Sequence, residues 1–218
     1  MADVVKLDLK KQLKHLYIPS AKAPVLVDVP EMQFAMVDGR IEAGHMPGES
    51  PGFAGAIGAL FGISYTLKFV SKKRPVDPID YTVMALEGLW ATPSGGTDYA
   101  DSNEWMYTLM MMQPEHISAG MFEEARGQLL KMREKDGHPV DVIERVRFER
   151  FAEGLCVQML PVGPYIDEPR TLEQMQAFAD ANQYEYHGRH HEIYLGDPRT
   201  AKPENLRTVL RHAVKPAG

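Results

Sequence analysis

Cysteine, basic tracts and long apolar runs are all scarce here, and each scarcity excludes something. Cys156 is the only cysteine among 218 residues, so the chain forms no internal disulfide and supplies no multi-thiolate zinc site. That usage fits a reducing compartment, and a cytoplasmic location is expected. The longest basic run is Lys72-Lys73-Arg74 and the formal net charge is −6. A broad nucleic-acid footprint is therefore not expected. Met1 to Lys14 mixes Lys and Asp where a signal peptide would be apolar. Apolar stretches fall short of the roughly 20 residues that cross a bilayer, so no membrane partner is expected. Gly52, Gly55 and Gly58 have the wrong spacing for a dinucleotide loop, and no Gly-x-Ser-x-Gly elbow occurs. No cofactor is expected.

Extended and helical segments alternate through the rest of the chain. Val25–Pro30 and Gln33–Gly39 read as extended, with Asp38-Gly39 as a turn. A helix is expected from about Ser50. Phe53, Ile57, Leu60, Phe61, Tyr65 and Lys68 recur at helical spacing, and its four glycines suit close packing on a sheet. Tyr65 is assigned to the core. Tyr81–Trp90 and Trp105–Gln113 read as two hairpin-related strands. A connector helix follows over 116–136, with Gly137 just beyond its end. The pattern then repeats: an extended Val146–Leu160 with an irregularity at Gly154, and a helix capped by Thr171 with Gln174 three residues on. A strand from His190 and a closing strand over Val209–Val214 complete it. The chain thus reads as an α+β fold of two strand-helix-strand-strand units, about 25–113 and 146–214. Placed around a pseudo-twofold axis, they leave a ligand groove between them. The 13 methionines suit core filling or an adaptable ligand surface.

One strand carries an acid among apolar neighbours. In His190-His191-Glu192-Ile193-Tyr194-Leu195, alternate residues face opposite sides of a sheet. His191, Ile193 and Leu195 share one face. His190, Glu192 and Tyr194 share the other, which suits a polar, aromatic cavity wall. His187 and His191 have the spacing of a helical zinc pair, but a strand separates them by about 13 Å. No metal site is expected.

Several segments, in order along nearly the whole chain, resemble the GyrI-like small-molecule-binding proteins. They are Leu7-Asp8-Leu9-Lys10-Lys11 with Leu16-Tyr17, Val27–Met32, Leu86-Glu87-Gly88-Leu89-Trp90, Thr108-Leu109-Met110 through Gln113-Pro114, Val162-Gly163-Pro164-Tyr165 and His190–Leu195. The resemblance is to the stand-alone branch, read as a single domain over residues 1–218. It implies two fused strand-helix-strand-strand (SHS2) modules and an aromatic-lined groove with a carboxylate that receives flat, often cationic, compounds. About two dozen residues precede the first unit, too few for the helix-turn-helix of related regulators. The branch also resembles hydrolases that open the cyclopropane ring of DNA-alkylating compounds.

By motif position, Glu192 is the expected functional carboxylate. Tyr165, Glu87, Trp90, Trp105, Tyr194 and His190 are candidate wall residues, with Tyr165 and Glu192 catalytic if the protein is an enzyme. Glu87 and Trp90 have opposite strand parity, so both line one wall only if Gly88 bulges. Ala91 stands where a second aromatic is expected, and the 92–103 loop is rich in small residues, which implies a more open rim. The expected partner is a small aromatic or cationic molecule, without direct nucleic-acid binding; a homodimer is left open. The leading expectation is a binder in drug or toxin response. The alternatives are a hydrolase of strained alkylators, with Glu192 handling water, and a ligand-sensing accessory to a separate regulator.

Overall fold

The computed structural model describes residues 3–92 and 105–218. Its first half runs β1 (Val5–Leu7), α1 (Leu9–Gln12), α2 (Lys14–Tyr17), β2 (Val25–Val29), β3 (Met32–Arg40), α3 (Pro51–Lys72), β4 (Ile79–Tyr81), β5 (Leu86–Ala91) and β6 (Met106–Gln113). Its second half runs α4 (Ala119–Lys135), α5 (Asp141–Glu144), β7 (Arg147–Phe151), β8 (Gly154–Met159), α6 (Glu168–Ala181), β9 (Tyr184–Tyr194) and β10 (Thr208–Pro216). The mixed helix-and-sheet class expected from the sequence is observed.

Eight strands form one antiparallel sheet, in the order β2-β8-β10-β9-β5-β6-β3-β7. Each half contributes three inner strands in mirrored order, and the halves meet at the β5–β9 seam. The sheet's two ends are the two ends of a single ribbon. Val29 lies opposite Gly154 in the β2–β8 ladder, and Met32 lies opposite Phe151 in the β3–β7 ladder, so one register continues across both linkers. The sheet therefore closes into a ring of six strands, as in a small barrel. Pro30 interrupts the ladder because proline has no N–H to donate. Gly154, at φ +74°, bends the opposing strand at the same level. The extended Val146–Leu160 segment is for this reason two strands.

The ring interior holds Phe34, Met36, Leu89, Met110, Met112, Cys156, Ile193 and Val209. Leu9, Leu16 and Tyr17 of the N-terminal helices plug it. On the outer face, α3 and α4 cover Leu86, Leu109 and Met111. There α6 covers Val157, Met159, Leu210 and Val214. The methionine run Met110-Met111-Met112 alternates between inside and outside, and all three are buried, as core filling requires.

Several boundaries differ from the sequence reading. Tyr81–Trp90 is not one strand: β4 pairs with β1 in a separate two-stranded sheet, and β5 starts at Leu86. The helix expected to start at Thr171 starts at Glu168, because Pro169 fits its first turn. Strand β9 begins six residues before His190, with Gly188 at φ +75° in a bulge opposite His212. Helices α1 and α2 meet at Leu13. Helix α3 has 22 residues and a window of mean hydropathy 1.5, so by length and composition it could cross a membrane. That corrects the expectation of only short apolar runs; its glycines and serines break the run without making it polar. Here Leu60, Ile63 and Leu67 are buried on the sheet, and the Ser50 side chain caps the helix by accepting from Phe53 N.

Candidate functional site

The seam between the two halves places an acid, Glu192, on the outer face of the sheet, near the start of α6. Gly88 pairs with Glu192, Trp90 with His190 and Leu86 with Tyr194 across β5 and β9. On the other side, Leu210 and Thr208 of β10 flank Glu192 and Tyr194. The alternation read from the sequence is observed: Ile193 points into the ring and Glu192 out of it. The Glu192 side chain keeps 13% of its surface exposed, enough to be touched from the groove.

Both oxygens of Glu192 have a close polar neighbour. Tyr194 Oη donates to Oε2 at 2.7 Å, and Trp90 Nε1 donates to Tyr194 Oη at 2.9 Å. His190 Nε2 lies 3.2 Å from Oε1. Gly88 makes room for this chain: a Cβ there would lie 2.9 Å from Trp90 Nε1 and 3.3 Å from Tyr194 Oη. Burial, and then the negative charge of Glu192, push the Tyr194 phenol far above its ordinary range.

Glu168, at the first turn of α6, faces the same acid. Burial, and then the nearby charge of Glu192, raise its pKa to about 9. Tyr165, in the turn before α6, completes that wall. Burial and the charges of Glu192 and Glu168 push its phenol up to about 12, against a hydrogen bond with Thr208. On α3 the Phe61 and Tyr65 rings stack with centroids 6.4 Å apart. Phe61 packs on the same apolar cluster as Tyr194. Tyr65 is 51% exposed, not in the core as expected, since its helical position points away from the sheet.

The expected residues divide into three groups. Glu192, Tyr194 and Tyr165 come together, joined by Glu168, which sequence reasoning missed. Its signal was an acid pair, Asp167-Glu168, ahead of a proline able to open a helix. Trp90, Trp105 and His190 act from behind. Trp90 is 4% exposed and touches the groove through its Nε1–Tyr194 bond, while Trp105 packs edge-on against it at 5.7 Å. His190 is buried behind Glu192. Glu87 is not brought to the groove at all. Strand β5 runs without a bulge between its neighbours, so Glu87 points into the ring opposite Trp90. Ala91 ends β5 half-buried, and most of the 92–103 loop lies outside the described residues.

Inside the ring, Glu87 belongs to a buried ionic network. Tyr17 Oη donates to Glu87 at 2.7 Å. His191 bridges two acids, with Nε2 3.1 Å from Glu87 and Nδ1 2.9 Å from Glu153. Arg211 donates to Glu153, to Gln158 and to the Leu16 carbonyl. Burial works against the His191 charge, but Glu153 and Glu87 together raise its pKa. Burial also works against the Glu153 charge, yet His191 and Arg211 hold its carboxyl at about 2.

Among the described residues, no group of three or more His, Cys, Asp or Glu side chains is placed to hold a metal. A cavity of about 240 Å³ between the outer ends of α3 and α4, lined by Phe69, Arg74 and Met121, shares no residue with the groove.

The chain belongs to the GyrI-like family: the model of the GyrI-like small molecule binding domain matches residues 22–215. Three solved structures from Listeria innocua are similar over 96% of this chain and 100% of theirs. An uncharacterized conserved protein is 35% identical with a TM-score of 0.82. A protein described as a hydrolase is 34% identical with a TM-score of 0.78, and a hydrolase encoded by lin2189 is 34% identical with a TM-score of 0.80. No curated protein matches the chain.

Proposed function

We propose that the groove takes up flat, amphipathic aromatic compounds and that the protein hydrolyses them at the Glu168–Glu192 pair. The observation that carries this reading is the pair itself. Glu168 lies near enough to Glu192 that burial and then that neighbour's charge raise its pKa to about 9. Burial and the charge of Glu192 favour the protonated form of Glu168, while Glu192 accepts from Tyr194 on Oε2 and has His190 Nε2 3.2 Å from Oε1. Such opposite protonation divides acid and base roles between two like groups. Glu192 takes a proton from water, and the oxygen attacks an electrophilic carbon held against the aromatic wall. Glu168 gives its proton to the oxygen or carbon that receives the electrons of the broken bond. A strained three-membered ring conjugated to a carbonyl fits this sequence: the ring C–C bond breaks, its electrons move to the carbonyl oxygen, and that oxygen is protonated. Two similar Listeria proteins described as hydrolases support the reading.

The test is turnover. A strained aromatic alkylator incubated with substoichiometric protein is expected to yield many equivalents of ring-opened product. One equivalent at most would overturn the hydrolase reading. It would leave a binder that sequesters its ligand, which the aromatic walls beside a carboxylate also favour. Glu192→Gln separates the two. In either case it should weaken binding of a cationic aromatic dye by about tenfold, equal to about 1.4 kcal/mol. Unchanged dye affinity would remove charge recognition from the account.

A further inference from the structure

Behind Glu192 the donors continue into the protein. His190 Nε2 meets Glu192 Oε1 at 3.2 Å, and His190 Nδ1 meets His212 Nε2 at 2.9 Å. Both imidazoles are buried. The outer end of the chain is bare: among the described residues, His212 Nδ1 has no hydrogen-bond partner. Its ring stacks flat on Tyr186, with centroids 4.3 Å apart and planes 3° apart.

This geometry selects the tautomers. A buried N–H without a partner is rarer than an acceptor without one, so His212 keeps its proton off Nδ1 and on Nε2. That proton points at His190 Nδ1, which must then be an acceptor. His190 in turn carries its proton on Nε2, the ring nitrogen 3.2 Å from Glu192 Oε1. The Trp90–Tyr194 chain reaches the other oxygen with the same polarity. Two series of donors therefore converge on one carboxyl group. A protonated Glu192 would set its own proton against one of them.

We propose that His190 and His212 are positioning residues: a two-imidazole chain that fixes the His190 proton on Nε2 and turns that N–H toward Glu192. The proposal rests on Glu192 being the working acid of the groove. The surrounding charges agree with it. Facing Glu192 are His190 and Tyr194 from β9, Glu168 from α6 and Tyr165 from the turn before it. Facing the imidazoles are Tyr186, with Asp180 of α6 beyond it, and, through the sheet, His191 and Glu153. Burial and then His190 push the His212 pKa down to about 3, so it stays neutral at any working pH.

The experiment is ¹⁵N NMR of the imidazoles in the full chain, with ¹³C NMR of the glutamate carboxyls. In the unaltered protein, His190 and His212 are both expected as Nε2–H tautomers at pH 7. A His190 in the Nδ1–H or doubly protonated form at pH 7 would overturn the proposal, and that arm needs no variant. His212→Phe keeps the stack on Tyr186 and removes the donor. It should release His190 to a mixture of forms and shift the carboxyl titration about tenfold in proton affinity. His212→Gln, whose Nε2 can donate again, should restore both. Unchanged His190 tautomer and titration in a folded His212→Phe protein would also overturn it. Loss of turnover or dye binding with these spectra intact would sink the function proposed above and leave the imidazole chain standing.

Discussion

Glu168 is a side chain whose chemistry comes from its surroundings. Its folded pKa of about 9 lies above the ordinary carboxyl value, so the native state binds a proton that the unfolded chain has lost. Its contribution is full below the unfolded value near 4.5 and declines as pH rises toward 9. Glu168→Gln, which mimics the protonated acid, should flatten the fall of Tm between pH 5 and 9 and make the variant the more stable protein at pH 9. A steeper fall would refute the assignment. Loss of a general acid commonly costs about 100-fold or more in rate, so the same variant should lower kcat by that order. Of the two acids, only Glu192 was legible in the sequence, because strand alternation marks it among apolar neighbours. Glu168 sits in a stretch that reads as turn, and its burial depends on where α6 starts and what β9 brings opposite. Glu87 shows the converse. Its parity, shared with Leu89, pointed inward, and motif position alone pointed to the groove.

At the level of elements, the β5–β9 seam decides the site, and Gly88 is its tightest point. A methyl group there would press on Trp90 Nε1 and Tyr194 Oη, both part of one hydrogen-bond chain to Glu192. Gly88→Ala is expected to alter tryptophan fluorescence and weaken dye binding by about tenfold at a modest loss of Tm. Retained affinity with unchanged fluorescence would show that the chain does not need this space. The helices and the repeat were readable from periodicity, since each half buries its own apolar face. The partners of each strand were not. Nothing local in Arg147–Phe151 or Val25–Val29 states that they are parts of one ribbon, because their ladders join residues more than a hundred positions apart.

For the whole molecule, ring closure creates a buried interior, and an ionic network with an N-terminal plug fills it. Glu87 and Glu153 stand against His191 and Arg211, with Tyr17 and the Leu16 carbonyl completing the bonds. Removing one partner of such a set strands the others, at about 3–5 kcal/mol. Arg211→Ala should lower the denaturation midpoint accordingly; a shift under about 1 kcal/mol would mean that water reaches the interior. The pH window follows from the two shifts. Glu153, with its carboxyl held at about 2, contributes stability above its ordinary value near 4.5 that is lost as pH falls toward 2. His191, raised, contributes stability that is present below its ordinary value near 6.5 and lost as pH climbs through the folded value.

The network has a further consequence, because His191 and Glu192 are consecutive residues. One side of β9 is fastened by a bridged imidazole, and the other side presents the groove's acid. If β9 slid by one residue, an imidazole would move out to the groove and a carboxylate would move into an interior already holding two. The buried charges thus act as a register pin, and what they hold in place is the position of Glu192.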